Sequence, residues 1–188
     1  MDAPAHAPDP DAEAEAERLR RARRGDGAAF EALYHDHARA VHALAFRLTG
    51  NAAEAEDIVQ ETFLRMFGFL SGLRENTPLR PWLKRVAANL AIDRLRRQQR
   101  PGTEMALAAL ADPASASPAD AADADALLRR LPPLARTVVW LHEMEGWSHE
   151  DLGRRFGRTA SWSKSLMSRS LARLRQDLAP HGDAPHDA

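Results

Sequence analysis

Apolar side chains recur at three- and four-residue steps along two stretches of this chain, and between them the pattern stops. Phe30, Leu33, Tyr34, Val41, Leu44, Ala45 and Leu48 keep that spacing up to Gly50. Such a recurrence lines one face of a helix and excludes a strand, whose faces alternate at every residue. Asn51 and Glu54 then form an N-x-x-E helix-start signal. The helix it opens carries Ile58, Val59, Phe63, Met66, Phe67 and Leu70 on one side. A polar turn from Leu73 to Asn76 follows, and Thr77-Pro78 reads as a cap and a first helical position. Leu79, Leu83, Val86 and Leu90 continue at steps of four, three and four. Three amphipathic helices with short connections can bury a shared core, which predicts one helical domain over residues 18–98.

From Gln99 to Ala124 alanine, proline, serine and aspartate replace the periodic pattern, so residues 99–124 read as a flexible acidic tether. Order resumes near Leu127. Leu131-Pro132-Pro133 starts a helix through Val138, Val139 and Leu141 that Gly146 stops. Ser148 and Asp151 match the [ST]-x-x-[DE] start signal for a short helix with Leu152 and Phe156. Gly157-Arg158 supplies a tight turn, and Thr159 caps a long last helix whose apolar stripe is Met167, Leu171, Leu174 and Leu178. This predicts a second domain over 125–179. Residues 1–17 are too poor in large apolar groups to offset ordering entropy and read as disordered, as does the tail 180–188. The expected fold class is all-α, two small helical domains on a tether, the C-terminal one a helix-turn-helix.

The formal net charge of −1 averages opposed blocks. Asp2 to Glu17 holds six acids and no Lys or Arg, whereas Arg74 to Arg100 holds eight bases against two acids. Pro101 to Leu128 holds five acids and no base, and Gly153 to Arg175 holds seven bases and no acid. Two basic helical regions separated by an acidic spacer suggest two contacts with a polyanion; solvated helix faces are the plainer alternative. The absence of cysteine excludes disulfides, thiolate zinc sites and thiol nucleophiles, and fits a reducing cytosol. No apolar run is long enough to span a membrane, and the acidic start lacks a signal peptide's basic residues.

The short helix, glycine turn and long basic helix from Ser148 to Leu178 have the layout of a helix-turn-helix, whose second helix enters the major groove. Arg158, Ser161, Trp162, Lys164, Ser165, Ser168 and Arg169 lie off the apolar stripe and are candidates to meet DNA. An ordinary helical hairpin with a basic surface is the alternative. In the helix from Thr77 to Arg100, Arg80, Lys84, Arg85, Arg94, Arg96 and Arg97 crowd the outer faces, with Trp82 and Asn89 among them. Bases with an aromatic and an amide suit single-stranded DNA, although Trp82 beside Leu79 and Leu83 also fits a core position.

Here the residues resemble a known family. Ala55-Glu56-Asp57-Ile58-Val59-Gln60-Glu61-Thr62-Phe63-Leu64-Arg65 is similar to the core-polymerase-binding helix of the sigma-70 superfamily. Pro78-Leu79-Arg80-Pro81-Trp82-Leu83-Lys84-Arg85-Val86-Ala87-Ala88-Asn89 and its continuation to Arg97 resemble the helix that reads and melts the −10 element. Leu131-Pro132-Pro133 through Lys164-Ser165 resembles the −35-reading domain. Without intervening domains, the chain resembles the bacterial extracytoplasmic-function group. The resemblance implies a non-enzymatic, cofactor-free initiation factor that binds core RNA polymerase and promoter DNA. It implies that Glu54, Asp57, Gln60, Glu61 and Arg65 dock on the clamp helices of the largest subunit, and that the second domain meets the flap of the second-largest. It implies that Arg74, Asn76, Arg80, Trp82, Lys84, Arg85, Asn89, Arg96 and Arg97 serve at −10. Arg158, Ser161, Trp162, Lys164, Ser165, Ser168 and Arg169 fall to −35 in the same way. The acidic tether resembles the segment that threads the RNA exit path. An anti-sigma partner is implied, with activity in the cytoplasm at the nucleoid and tethering at the inner membrane through that partner left open. Trp162, Ser163 and Leu166 depart from the family pattern of a small polar residue, an aliphatic and an arginine. Ser163 is expected to loosen helix packing and Leu166 to remove a DNA contact.

Rival classes find less support. His35, His37 and His42 cluster, and His142-Glu143 begins an H-E-x-x-H pattern, but Gly146 stands where the second histidine belongs. His35 and His37 point about 200° apart on a helix, so a solvated helix accounts for them better than a metal. A self-sufficient repressor needs an effector pocket or a receiver's strand–helix alternation, and neither is visible. A helical adaptor that binds only protein would leave both basic faces without a role.

Overall fold

The computed structural model describes residues 10–73, 77–98 and 121–178, and these are helical with no strand among them. The helices are α1 (Pro10–Arg23), α2 (Gly27–Thr49), α3 (Ala52–Phe69), α4 (Leu79–Gln98), α5 (Ala121–Arg129), α6 (Pro133–Glu143), α7 (His149–Phe156) and α8 (Ala160–Leu178), with a 3-10 turn at Leu70–Gly72. The fold class is all-α, as the periodicity predicts. Two compact units result, one of Met1–Phe46 with Asn51–Leu90, the other of Arg47–Gly50 with Ala91–Ala188. The division therefore runs inside α2 and α4, where the sequence pattern is continuous and shows no boundary.

In the first unit, single apolar faces of α2, α3 and α4 bury Leu33, Leu44, Ile58, Met66, Leu79 and Leu83. Burial of each such side chain contributes about 1.5–3 kcal/mol relative to exposure. Local signals set the helix starts. The Glu54 N–H donates to Asn51 Oδ1 at 3.1 Å. The Ala29 N–H donates to Asp26 Oδ1 at 3.1 Å, and Arg21 Nε donates to Asp26 Oδ2 at 2.8 Å. Those bonds, the backbone one foremost, hold the Asp26 carboxyl below the usual aspartate range.

Residues 10–17 correct the expectation of a disordered N-terminus. They are helical because α1 has more to hold it than its composition suggests. Leu19 is 2% exposed and Ala22 is buried. Arg23 Nε donates to the Leu70 carbonyl at 2.8 Å. Glu15 Oε2 lies 2.9 Å from His37 Nε2, and Glu15 Oε1 accepts the Leu79 N–H at 3.3 Å. His37 is thus a buried partner of a carboxylate, only 6% exposed, and the reading of it as a solvated histidine is overturned. The same carboxylate meets the first amide of α4, whose first helical residue is Leu79, one residue later than the Pro78 expected from the sequence. The rest of the predicted N-terminal segment and the tail from residue 179 lie outside the described residues.

In the second unit, Leu131, Ala135, Val139 and Leu174 form a buried cluster, with Leu127, Leu128, Leu166, Met167 and Leu171 packed on it. Helix α5 begins at Ala121, so residues 121–124, assigned to the tether, are helical. The remainder of that tether lies outside the described residues. Because Leu19 anchors α1, Leu19→Ala should lower the first unit's stability by about 2–4 kcal/mol. Urea unfolding of the full chain followed by amide exchange in α2 and α3 measures this; an unchanged midpoint would show that α1 does not contribute to the fold.

Candidate nucleic-acid interface

The helix-turn-helix is built as the sequence predicts. Ser148 caps α7, accepting the Asp151 N–H at 3.0 Å while its hydroxyl donates to Asp151 Oδ2 at 2.9 Å. Gly157 ends α7 in the left-handed region, φ 67°, a conformation open to glycine at no steric cost. There the Gly157 N–H donates to the Arg154 carbonyl and the Arg158 N–H to the Gly153 carbonyl, at 3.2 and 2.7 Å. Thr159 then caps α8, its hydroxyl oxygen accepting the Trp162 N–H at 3.1 Å. Gly153 is the closest approach: a Cβ there would stand 2.6 Å from the Thr159 backbone carbon.

This turn fixes which face of α8 is outward. Ser161, Lys164, Ser165, Ser168 and Arg169 are exposed, as is Arg158 in the turn. Four of them, Ser161, Lys164, Ser165 and Ser168, share about 100° of the helix circumference. Trp162 flanks that face, half-buried, with its ring 5.4 Å from Phe156. Ser163 and Ser170 lie on the opposite, buried side, and Leu166 packs on the apolar cluster. Leu166 therefore takes a packing role there, half-buried at the edge of the cluster. Ser163 does not leave a loose joint: its hydroxyl meets His149 Nδ1 at 3.1 Å.

On α4 the apolar stripe faces inward, leaving Arg80, Arg85, Arg96 and Arg97 exposed and Lys84 and Asn89 half-buried. Arg96 also donates to the Arg155 carbonyl at 3.2 Å within the second unit. Trp82 is neither core nor free: it is half-buried and parallel to Phe69, ring centroids 6.3 Å apart. Arg74 and Asn76 lie outside the described residues.

On α3, Asp57, Gln60 and Arg65 are exposed, Glu54 and Glu61 half-buried, and Arg65 donates to Glu61 at 2.9 Å. The sequence reading missed the apolar part of this surface. Leu64 and Phe67 are 66% and 63% exposed and Phe69 is 53% exposed. Phe67, assigned to the core, is instead an outward ring edge-on to Phe30 at 5.5 Å. Helical spacing held the signal, since Leu64 is one turn from Gln60 and Phe67 two turns. A groove between α2 and α3, lined by Tyr34, Arg39, His42, Glu56 and Gln60 among others, adjoins the same surface.

Sequence comparison accounts for both units. Residues 33–101 match sigma-70 region 2 and residues 122–174 match sigma-70 region 4. The chain is 35% identical over 168 residues to the RNA polymerase sigma factor CarQ of Myxococcus xanthus, covering 85% of this chain and 95% of that protein. The chain belongs to the sigma-70 family of extracytoplasmic-function sigma factors. A second relative of this sigma factor is the ECF RNA polymerase sigma factor SigE of Mycolicibacterium smegmatis, 36% identical over 170 residues. That match covers 84% of this chain and 65% of the relative, so the chain spans about two-thirds of that protein's length. Among solved structures, a co-crystal of the sigma factor RpoE with the anti-sigma factor NepR from Bartonella quintana is similar at a TM-score of 0.50 and 25% identity. It covers 77% of this chain and 92% of that one. Region 2 thus takes in most of α2 with α3 and α4, and region 4 takes in α5 through most of α8.

Because Gly153 touches the Thr159 backbone, this sigma factor should tolerate Gly153→Ala poorly, losing about 1–3 kcal/mol from the region 4 helices. Amide exchange in α7 and α8 should quicken while α2 and α3 keep their protection. Equal protection in both units would show that the close approach relaxes at no cost.

Proposed function

We propose that this sigma factor associates with core RNA polymerase and directs initiation at promoters carrying −10 and −35 elements. The observation that carries this reading is the ordered pair of region 2 and region 4 matches, each centred on a unit that presents an exposed basic helix. Two modest contacts on one tethered chain act together through high effective concentration.

The α3 surface suits polymerase. Asp57, Gln60 and Glu61 offer acidic and polar groups, and exposed Leu64 and Phe67 offer the apolar area that a protein interface buries at its centre. Charge there sets orientation more than affinity. The α4 surface suits opened DNA, where Arg80, Lys84 and Arg85 neutralise phosphates, Trp82 offers a stacking face and Asn89 offers an amide to a base edge. Arg96 and Arg97 at the far end of the helix extend that surface, and the family resemblance gives Arg74 and Asn76 the same −10 role. Capturing an extruded base offsets the few kcal/mol that unstacking costs. The α8 surface suits the major groove: Lys164 and Arg169 donate to guanine edges or phosphates, and the serines bond in either sense.

The chain carries no reaction of its own in this account; polymerase makes the RNA. No described helix is long and apolar enough to cross a membrane, and the site of action we propose is the cytoplasm. The relative solved with an anti-sigma factor supports control by a partner of that kind here.

Replacing Lys164 or Arg169 by Ala should cost about 1–3 kcal/mol at a promoter with an intact −35 element and little once that element is scrambled. Asn89→Ala should impair strand opening while core binding stays intact. Run-off transcription and permanganate reactivity on matched promoters read both; equal loss on intact and scrambled −35 templates would remove the α8 assignment.

A further inference from the structure

One side-chain cluster in the second unit has no part in the assignments above. His149, the first residue of α7, places Nδ1 3.1 Å from the Ser163 hydroxyl on α8. Ser163 is 0% exposed, so its hydroxyl is shut away from water and its polar bonds must come from the protein. The His149 ring stacks on His142, centroids 4.1 Å apart and planes 19° from parallel. His142 is fixed in turn: its Nδ1 lies 2.7 Å from the Trp147 carbonyl, and a carbonyl only accepts, so that nitrogen donates. Trp147 is itself buried and hydrogen-bonded through its N–H to the Leu141 carbonyl at 2.9 Å. A continuous chain of fixed groups therefore runs from the end of α6, through two stacked imidazoles, to the buried side of α8.

Ser163 is flanked in sequence by Trp162 and Lys164 and lies within two residues of Ser161 and Ser165. A hydroxyl anchored at 163 sets both the rotation and the depth of the turn that presents those side chains. Resting on the assignment of α8 to the −35 duplex, we propose that His149 is a positioning residue for −35 recognition, holding the first turns of α8 in register through Ser163.

The electrostatics agree with a neutral imidazole in this place. Desolvation first, then repulsion from His142 and from Lys164, hold the His149 pKa below the usual histidine value, and Glu143 alone opposes them. A neutral ring suits the stack, because two imidazolium rings face to face would repel. By linkage, a base held below its unfolded value favours the folded unit above that unfolded value, and the contribution is lost as pH falls through the lowered one. The stability of the second unit should therefore fall across that interval, and His149→Asn should flatten the decline. Asparagine can set an amide atom near the position of Nδ1 and does not titrate.

The test is promoter discrimination by reconstituted holoenzyme at neutral pH, taken as transcription from an intact −35 template over its scrambled counterpart. His149→Ala and Ser163→Ala should each lower that ratio about three- to tenfold, the reach of one hydrogen bond. The double variant should do no worse than either alone, and His149→Asn should recover most of the loss. A variant that only loosens the second unit would lower the ratio as well, so the ratio is read only for variants whose amide exchange in α8 matches the wild type. Unchanged ratios in variants that stay folded, or losses that simply add, overturn the positioning role. If Lys164→Ala lowers the ratio and the His149 and Ser163 variants do not, this inference alone fails. If the wild-type factor itself ignores the −35 sequence, the assignment of α8 fails and this inference falls with it.

Discussion

Packing of the α8 apolar stripe onto α6 is the interaction on which the chemistry of the second unit depends. Leu166, Met167, Leu171 and Leu174 bury against Leu131, Ala135 and Val139. A helix has one circumference to divide, so committing that side to the cluster turns Ser161, Lys164, Ser165, Ser168 and Arg169 outward. The glycines at 153 and 157 make the arrangement possible at all. One admits the Thr159 backbone at contact distance, and the other turns the chain through the left-handed region. With those fixed, the basic residues need no network to hold them out; the hydrophobic side does so.

The first unit follows the same rule with a different outcome. Helices α3 and α4 each give one stripe to a shared core, and what remains outside differs in character. On α3 the remainder is acidic and apolar, Asp57 and Glu61 beside Leu64 and Phe67, a composition suited to protein. On α4 it is basic, with Trp82 and Asn89 set among arginines, a composition suited to nucleic acid. Phe69 bridges the two helices by stacking on Trp82. Gly72 makes room for that ring, since a Cβ there would come within 2.9 Å of it. Helix α1 closes the unit through Leu19 and through the Glu15 carboxylate, which reaches both His37 and the first amide of α4.

Much of this was legible in the sequence. Caps at Asn51, Ser148 and Thr159, the stop at Gly146 and the turn at Gly157 are local signals, and each acts through atoms a few residues away. What could not be read was contact between residues far apart in the chain. Helix α1 looks too polar to order because its partners lie beyond it in sequence: Asp36, 3.2 Å from Arg18, and His37, Leu70 and Leu79. Phe67 fits the inner stripe of α3 by spacing, yet it sits at the edge of that stripe, where the Phe30 ring of α2 meets it at right angles. Ser163 looked like a packing defect because the group that satisfies it, His149, stands 14 residues away on another helix. Leu166 illustrates the same limit from the other side: it lies among polar residues in sequence, and its half-buried side chain packs on the apolar cluster.

The central claim is that the two exposed basic helices engage separate parts of one promoter while α3 holds polymerase. Run-off transcription by purified chain and core enzyme on a promoter library tests it most directly. The account predicts start sites that share two upstream sequence blocks at a fixed spacing, each lost on substituting the helix assigned to it. Failure of the chain to bind core enzyme, or initiation that shares no upstream sequence, would contradict it.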